Sequence, residues 1–156
     1  GNANWPATDD RKSELTGKSS NNQLDILTKF SNTSPFLDWI PVIRYSEVLL
    51  NLAEAEAEGG SQARALALLE AVRNRSDASY NFPAFANKNA LIEAILVERR
   101  IEFLGEGIRN GDIMRLGQTI PSKVKQSIPA VAPTEPNYIF PIPNSELTLN
   151  NLIKND

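Results

Sequence analysis

The sequence predicts an all-α fold built from helical hairpins, and three observations carry that reading. Apolar residues recur at intervals of three and four through the middle of the chain, the period of a helix with one buried face. Gly59-Gly60 interrupts the pattern and Ser61 follows as a capping residue, so two helices are joined by a tight turn. Six of the ten prolines fall between Pro121 and Pro143, which keeps that span extended.

Residues 1–37 are polar, rich in Asn, Ser, Thr and Asp, with Pro6, Gly17 and Pro35 as breakers, and read as an irregular N-terminal arm. Periodicity there is confined to Leu24, Ile26, Leu27 and Phe30. The first helix is predicted over 41–58, with Asp38 as N-cap and Pro41 in the first turn. Val42, Tyr45, Val48, Leu49, Leu52, Ala53 and Ala55 trace its apolar face, and Trp39 is expected in the core or as a staple. Ser61 caps a second helix over 61–75, where Ala65, Leu66, Leu69 and Val72 share a face. Val42 to Arg75 spans 34 residues, the length of a tetratricopeptide hairpin. A single hairpin leaves an apolar face uncovered, and helices predicted over 89–105 and 109–116 supply the partner. The proline-rich C-terminal segment is expected to lie over the helices, anchored by Tyr138 to Pro143, with a last short turn at Asn144-Ser145-Glu146. Residues 38–156 are thus read as one helical domain, with no sheet of more than two short strands.

Composition bounds the chemistry. A chain of 156 residues, 41% hydrophobic and 22% charged, suits one globular domain with a real core. Sixteen Lys and Arg against 19 Asp and Glu give a net charge of -3, which offers no basic field to nucleic acid. Histidine and cysteine are both absent, which excludes Ser-His-Asp and Cys-His machinery, imidazole or thiolate zinc sites, and disulfides. Catalysis would have to rest on carboxylates, Lys, Tyr or Ser. No apolar run approaches the roughly 20 residues of a membrane span, and no charged-then-apolar leader opens the chain.

The densest chemistry lies between Ile95 and Arg115. Glu98, Glu102 and Glu106 recur at intervals of four and form one stripe on a continuous helix, extended by Arg109. Acids on one stripe repel unless cations answer them. The expectation is a partly buried structural network of Arg44, Glu98, Arg99, Glu102, Glu106, Arg109, Asp112 and Arg115, with Arg73 as a further partner, because buried charge persists only when paired. The competing reading is a carboxylate site that holds a metal or hydrolyses a substrate through Glu98 and Asp112. Abundant arginine favours the structural reading, since it holds both acids ionised. No catalytic residue, metal site or cofactor is assigned.

Smaller motifs carry less. Gly17-Lys18-Ser19 ends like a phosphate-binding loop, yet its first glycine would fall at Lys12 and no apolar strand precedes it. Glu54, Glu56 and Glu58 scatter over helix faces and read as a solvated end. Asn32-Thr33-Ser34 and Asn74-Arg75-Ser76 fit a glycosylation triplet that has meaning only in a eukaryotic secretory setting. The ligand-binding candidates are aromatic: Trp5 in the polar arm, and Tyr80 and Phe82 in the loop before the third helix. Their rings suit the C–H face of a pyranose, and polar neighbours suit its hydroxyls. For Phe82 and Phe85 the favoured role is to plug the helical layer from the side, since exposed large apolar side chains are costly.

The order of these elements resembles the C-terminal part of the SusD/RagB family of outer-membrane lipoproteins, which bind nutrients, usually glycans, at the surface of Gram-negative bacteria. Four blocks over roughly residues 38–151 carry the resemblance. Pro41 to Leu50 with Ala53-Glu54-Ala55 is similar to the first helix of that part, and Leu69 to Arg75 fits its Leu-x-x-Val-Arg-x-Arg block. Glu98-Arg99-Arg100 with Glu102, Glu106-Gly107, Arg109, Asp112 and Arg115 fits the third. Phe140-Pro141-Ile142-Pro143 with Glu146 and Asn150 fits the last, and Asp10-Arg11 resembles an Asp-Pro-Arg-like element upstream. The chain departs from the family pattern at Asn110-Gly111, where an aromatic pair is usual, and at its end, which lacks Asn-Pro and Gln-Asn-Pro-Gly.

The resemblance implies a tetratricopeptide-like scaffold from a protein much longer than 156 residues, with Gly1 as a tag remnant. It implies attachment to the outer face of the cell outer membrane through a lipidated cysteine that this chain does not contain. The implied protein is not an enzyme. It binds an oligosaccharide and passes it to a SusC-like TonB-dependent transporter, without cofactor, metal or nucleic acid. Family ligand contacts vary and come largely from loops and the missing N-terminal portion, so Trp5, Tyr80 and Phe82 rest on their own chemistry. A helical-repeat protein–protein interaction module is the alternative, and the carboxylate hydrolase stands third.

Overall fold

A computed structural model describes residues 5–22, 24–32, 34–35, 37–123 and 127–150. Among these residues run six helices, α1 (Asp10–Leu15), α2 (Tyr45–Gly59), α3 (Gln62–Arg73), α4 (Lys88–Glu102), α5 (Ile108–Arg115) and α6 (Asn144–Leu149). One antiparallel ladder pairs β1 (Thr16–Lys18) with β2 (Asp25–Leu27). The class is all-α, as the apolar spacing predicts. The chain divides into two compact units, residues 1–109 and 110–156.

The first unit is organised by α2, α3 and α4. α2 buries Ser46, Leu50, Ala53 and Ala57, a stripe at intervals of four, three and four. Its small side chains admit close approach by α3, which contributes Ala65, Leu69 and Val72. α4 completes the core with Leu91, Ile92, Ile95 and Leu96. Side-chain caps start two of these helices: Ser61 Oγ accepts from the Arg64 amide, and Asn87 Oδ1 from the Ala90 amide.

The stripe of α2 differs from the predicted face. Val42, Tyr45 and Val48 are exposed, and Trp39 is 94% exposed, neither core nor staple. The helix begins at Tyr45, not at residue 41, because Asp38 is committed elsewhere: its carboxylate accepts from the Asn32 amide and side-chain amide, both at 2.8 Å. Arg44 takes the N-cap in an extended conformation with no side-chain cap bond.

The N-terminal arm holds more order than its composition indicates. Asp9 caps α1 by accepting from the Arg11 amide, and the Asp10 amide donates to the Ser76 carbonyl at 2.9 Å, which ties the arm to the end of α3. The arm also presses on the turn after α4. That helix stops at Glu102, short of residue 105, because Gly105 (φ 80°) and Gly107 (φ 81°) turn the chain through the left-handed region. A Cβ on Gly105 would lie 2.5 Å from Leu27 Cδ2. Gly105→Ala is therefore expected to destabilise by roughly 1–3 kcal/mol through backbone strain and this clash together, read as a lower melting temperature.

In the second unit, isolated bridges join Ile120 to Val131 and Lys123 to Ile128, and Pro136–Tyr138 forms one 3₁₀ turn. The Tyr138 hydroxyl donates to the Gln118 carbonyl at 2.8 Å and so does anchor its segment. The rest of the predicted anchor does not: Ile139 and Phe140 are 64% and 95% exposed. Pro141 and Pro143 lack the amides that would tie that segment down. Among the described residues no helix is long and apolar enough to cross a membrane.

Candidate functional site

α4 carries Glu98 and Glu102 one turn apart, and three other segments converge on them. From α1, Arg11 binds Asp9 through Nε at 2.9 Å and Nη2 at 2.7 Å, while its Nη1 donates to Glu102 at 2.7 Å and lies 2.8 Å from Glu98. From the end of α3, Arg73 grips Glu98 through Nε at 2.7 Å and Nη2 at 2.6 Å, and reaches Asp9 at 3.1 Å. Arg44 donates to Glu102 and Glu106, in each case at 2.7 Å for its shortest bond. Arg75 holds both oxygens of Glu102 at 2.6 and 2.8 Å, and Lys29 pairs with Glu106. Asp9, Arg11, Arg73, Glu98 and Glu102 are all buried.

This geometry separates two neighbouring acids. Burial pushes the Glu102 carboxyl up, but hydrogen bonds from Arg44, Arg75 and Arg11 outweigh it and hold the group at about 2. Burial pushes Glu98 up and prevails there over Arg11 and Arg73. For Asp9 the bonds and charges of Arg11 and Arg73 overcome burial and lower it. Sealed, guanidinium-bound acids have no path to a substrate proton, so the cluster works as a fastener. Among the described residues no three acids are grouped as a metal ion would require.

Of the predicted network, Arg44, Glu98, Glu102 and Glu106 meet in this cluster. Arg99 is buried, donates to Asn51 at 2.5 Å and lies 5.5 Å from the Phe103 ring centroid. Asp112 and Arg115 form a local pair on α5 at 2.9 Å. Arg109 is half-buried and makes no ion pair among the described residues. The break at Gly105 and Gly107 takes it off the stripe that a continuous helix would have produced. Sequence reasoning missed Asp9, Arg11, Lys29 and Arg75; the resemblance at Asp10-Arg11 was the available signal, displaced by one residue from the pair that bonds.

The ligand candidates fall in two cavities with no lining residue in common. Tyr80, Phe82 and Phe85 border about 350 Å³ together with Arg73 and Glu93. Tyr80 and Phe82 meet edge to face at 4.9 Å, and the Arg73 guanidinium lies 4.7 Å from the Tyr80 centroid. Phe82 and Phe85 pack against the core, so these rings serve the interior. Trp5 borders about 330 Å³ with Lys12, Thr16, Asp25, Arg100, Ile101 and Leu104. Its indole Nε1 is buried and has no hydrogen-bond partner among the described residues. The Lys12 ammonium donates to the Trp5 carbonyl at 3.0 Å, and Asp25 is paired with Lys18 at 2.5 Å.

The sequence profile of the SusD family matches residues 26–156. The chain belongs to the SusD family. A SusD superfamily protein from Bacteroides fragilis, known from its crystal structure, is 40% identical with a TM-score of 0.80, over 96% of this chain and 35% of that one. A second, from Bacteroides fragilis NCTC 9343, is 19% identical with a TM-score of 0.64, over 97% of this chain and 38% of that one, and shares the fold. The chain thus spans little more than a third of either protein, at 35% and 38%. No curated protein matches it at a significant level. In this SusD-family chain the motif residues Arg73, Glu98, Glu102 and Glu106 are spent on internal pairing, and Trp5 and its neighbours line a separate cavity.

Proposed function

We propose that this chain is part of a SusD-like, non-enzymatic glycan-binding lipoprotein on the cell outer membrane that delivers oligosaccharide to a SusC-like TonB-dependent transporter. Family membership supports the nutrient-binding role, and the Trp5 cavity supports a place for sugar. An indole beside Ile101 and Leu104 suits the C–H face of a pyranose, Lys12 and Arg100 suit its oxygens, and the Thr16 oxygen can accept from a hydroxyl. The enclosed acids of the ion network argue against the hydrolase.

Titrating a glycan panel against the chain tests this. Trp5→Ala is expected to weaken binding by about tenfold or more, while Tyr80→Ala lowers the melting temperature and leaves affinity unchanged. Turnover of any glycan would revive the carboxylate hydrolase. One observation favours the interaction-module reading: Leu37, Trp39, Ile40, Val42, Ile43 and Tyr45 form an exposed apolar run, each at least 65% accessible. Binding of a peptide with silence across the whole glycan panel would shift the function to that run.

A further inference from the structure

We propose that the Trp5 cavity takes a saccharide unit bearing a carboxylate; this rests on the glycan-binding reading and narrows its ligand class. The cavity is rich in donors. The indole N–H is buried with no partner among the described residues. Lys12 donates to the Trp5 carbonyl at 3.0 Å, and an ammonium carries three protons, so two remain. Arg100 is exposed and makes no ion pair among the described residues, so its five N–H groups face the cavity mouth or solvent.

Acceptors are scarce by comparison. Asp25, the one lining carboxylate, is already answered by Lys18, and the Thr16 hydroxyl, its proton given to the Lys12 carbonyl at 2.5 Å, is left as the one side-chain hydroxyl that can accept. A neutral sugar offers hydroxyls that must both give and receive hydrogen bonds, and here they would find few acceptors. A carboxylate receives only, takes a guanidinium in bidentate fashion, and answers the two lining cations of a cavity whose one acid is neutralised. The sugar ring supplies the apolar face that the indole, Ile101 and Leu104 require. The local excess of positive charge stands on a chain whose net charge is -3, so it is a property of this place and not of the whole surface.

Calorimetric titration with trigalacturonic acid, its fully methyl-esterified form and a sulfated trisaccharide decides the matter. The acid is expected to bind about tenfold tighter than the ester, with an affinity that falls as salt is added. Arg100→Gln and Lys12→Gln, both at exposed positions, are expected to erase most of that advantage, the acid losing more affinity than the ester. Equal affinity for acid and ester, an advantage that survives both substitutions, or preference for the sulfated ligand would overturn the carboxylate while leaving glycan binding in place. Silence toward every saccharide would overturn both readings for this cavity.

Discussion

Arg11→Ala is expected to cost about 3–5 kcal/mol, the range for removing one partner of a buried ion pair. Arg11 is 5% exposed and answers Asp9, Glu98 and Glu102 at once, so its loss leaves three buried acids with fewer cations. Arg73 and Arg44 would still reach some of the same acids, but neither can occupy the space that the Arg11 guanidinium fills between Asp9 and α4. Against a total stability of about 5–15 kcal/mol, a loss of this size leaves much of the chain unfolded in mild denaturant. Arg109→Ala supplies the contrast: with no ion pair among the described residues, it should change stability by roughly 0.5 kcal/mol or less. Urea unfolding measures both. An Arg11→Ala variant as stable as wild type, or an Arg109→Ala variant equally damaged, would show that the network does not hold the fold.

The helices were legible where the signal is local. Ser61 after Gly59-Gly60, and apolar spacing through Leu69 and Ile95, mark α3 and α4 without reference to the rest of the chain. The buried face of α2 was harder, because Leu49, Leu50 and Leu52 fit more than one stripe; the stripe that wins is the one where Ala53 and Ala57 permit close packing. Glu98 and Glu102 announced a network because two acids within an apolar run demand cations. Their principal partner did not announce itself. Arg11 lies 91 residues from Glu102 in sequence, in a polar stretch whose short helix has no periodicity to read.

That distant pairing also bears on the proposed ligand site. Lys12 follows Arg11 on α1, and Arg100 sits on α4 between the buried Arg99 and Glu102. The bonds that fix Arg11 against Glu98 and Glu102 therefore set the separation of the two cations lining the Trp5 cavity. In the proposed site the network would thus act through position, and its loss is expected to move the two cations even though none of its acids lines the cavity.

Acidification is expected to weaken the fold by about 3 kcal/mol through Glu102 alone. Its carboxyl sits at about 2 in the folded chain against 4.5 when free, held there against burial by Arg44, Arg75 and Arg11. As pH falls, the unfolded chain takes up this proton first, so the stabilisation is present above about 4.5 and disappears on approach to 2. Asp9, also lowered, adds to the loss in the same direction. Glu98 opposes it: burial raises its carboxyl, so the folded state accepts that proton more readily and gains relative stability as pH falls. The net decline should therefore be smaller than the lowered groups would produce alone. Glu102→Gln removes the titrating group, so the variant should be less stable than wild type at neutral pH and show a flatter dependence between the two values. Urea midpoints collected from neutral to strongly acidic pH test this directly. Parallel curves for wild type and Glu102→Gln would mean that another carboxylate governs acid unfolding.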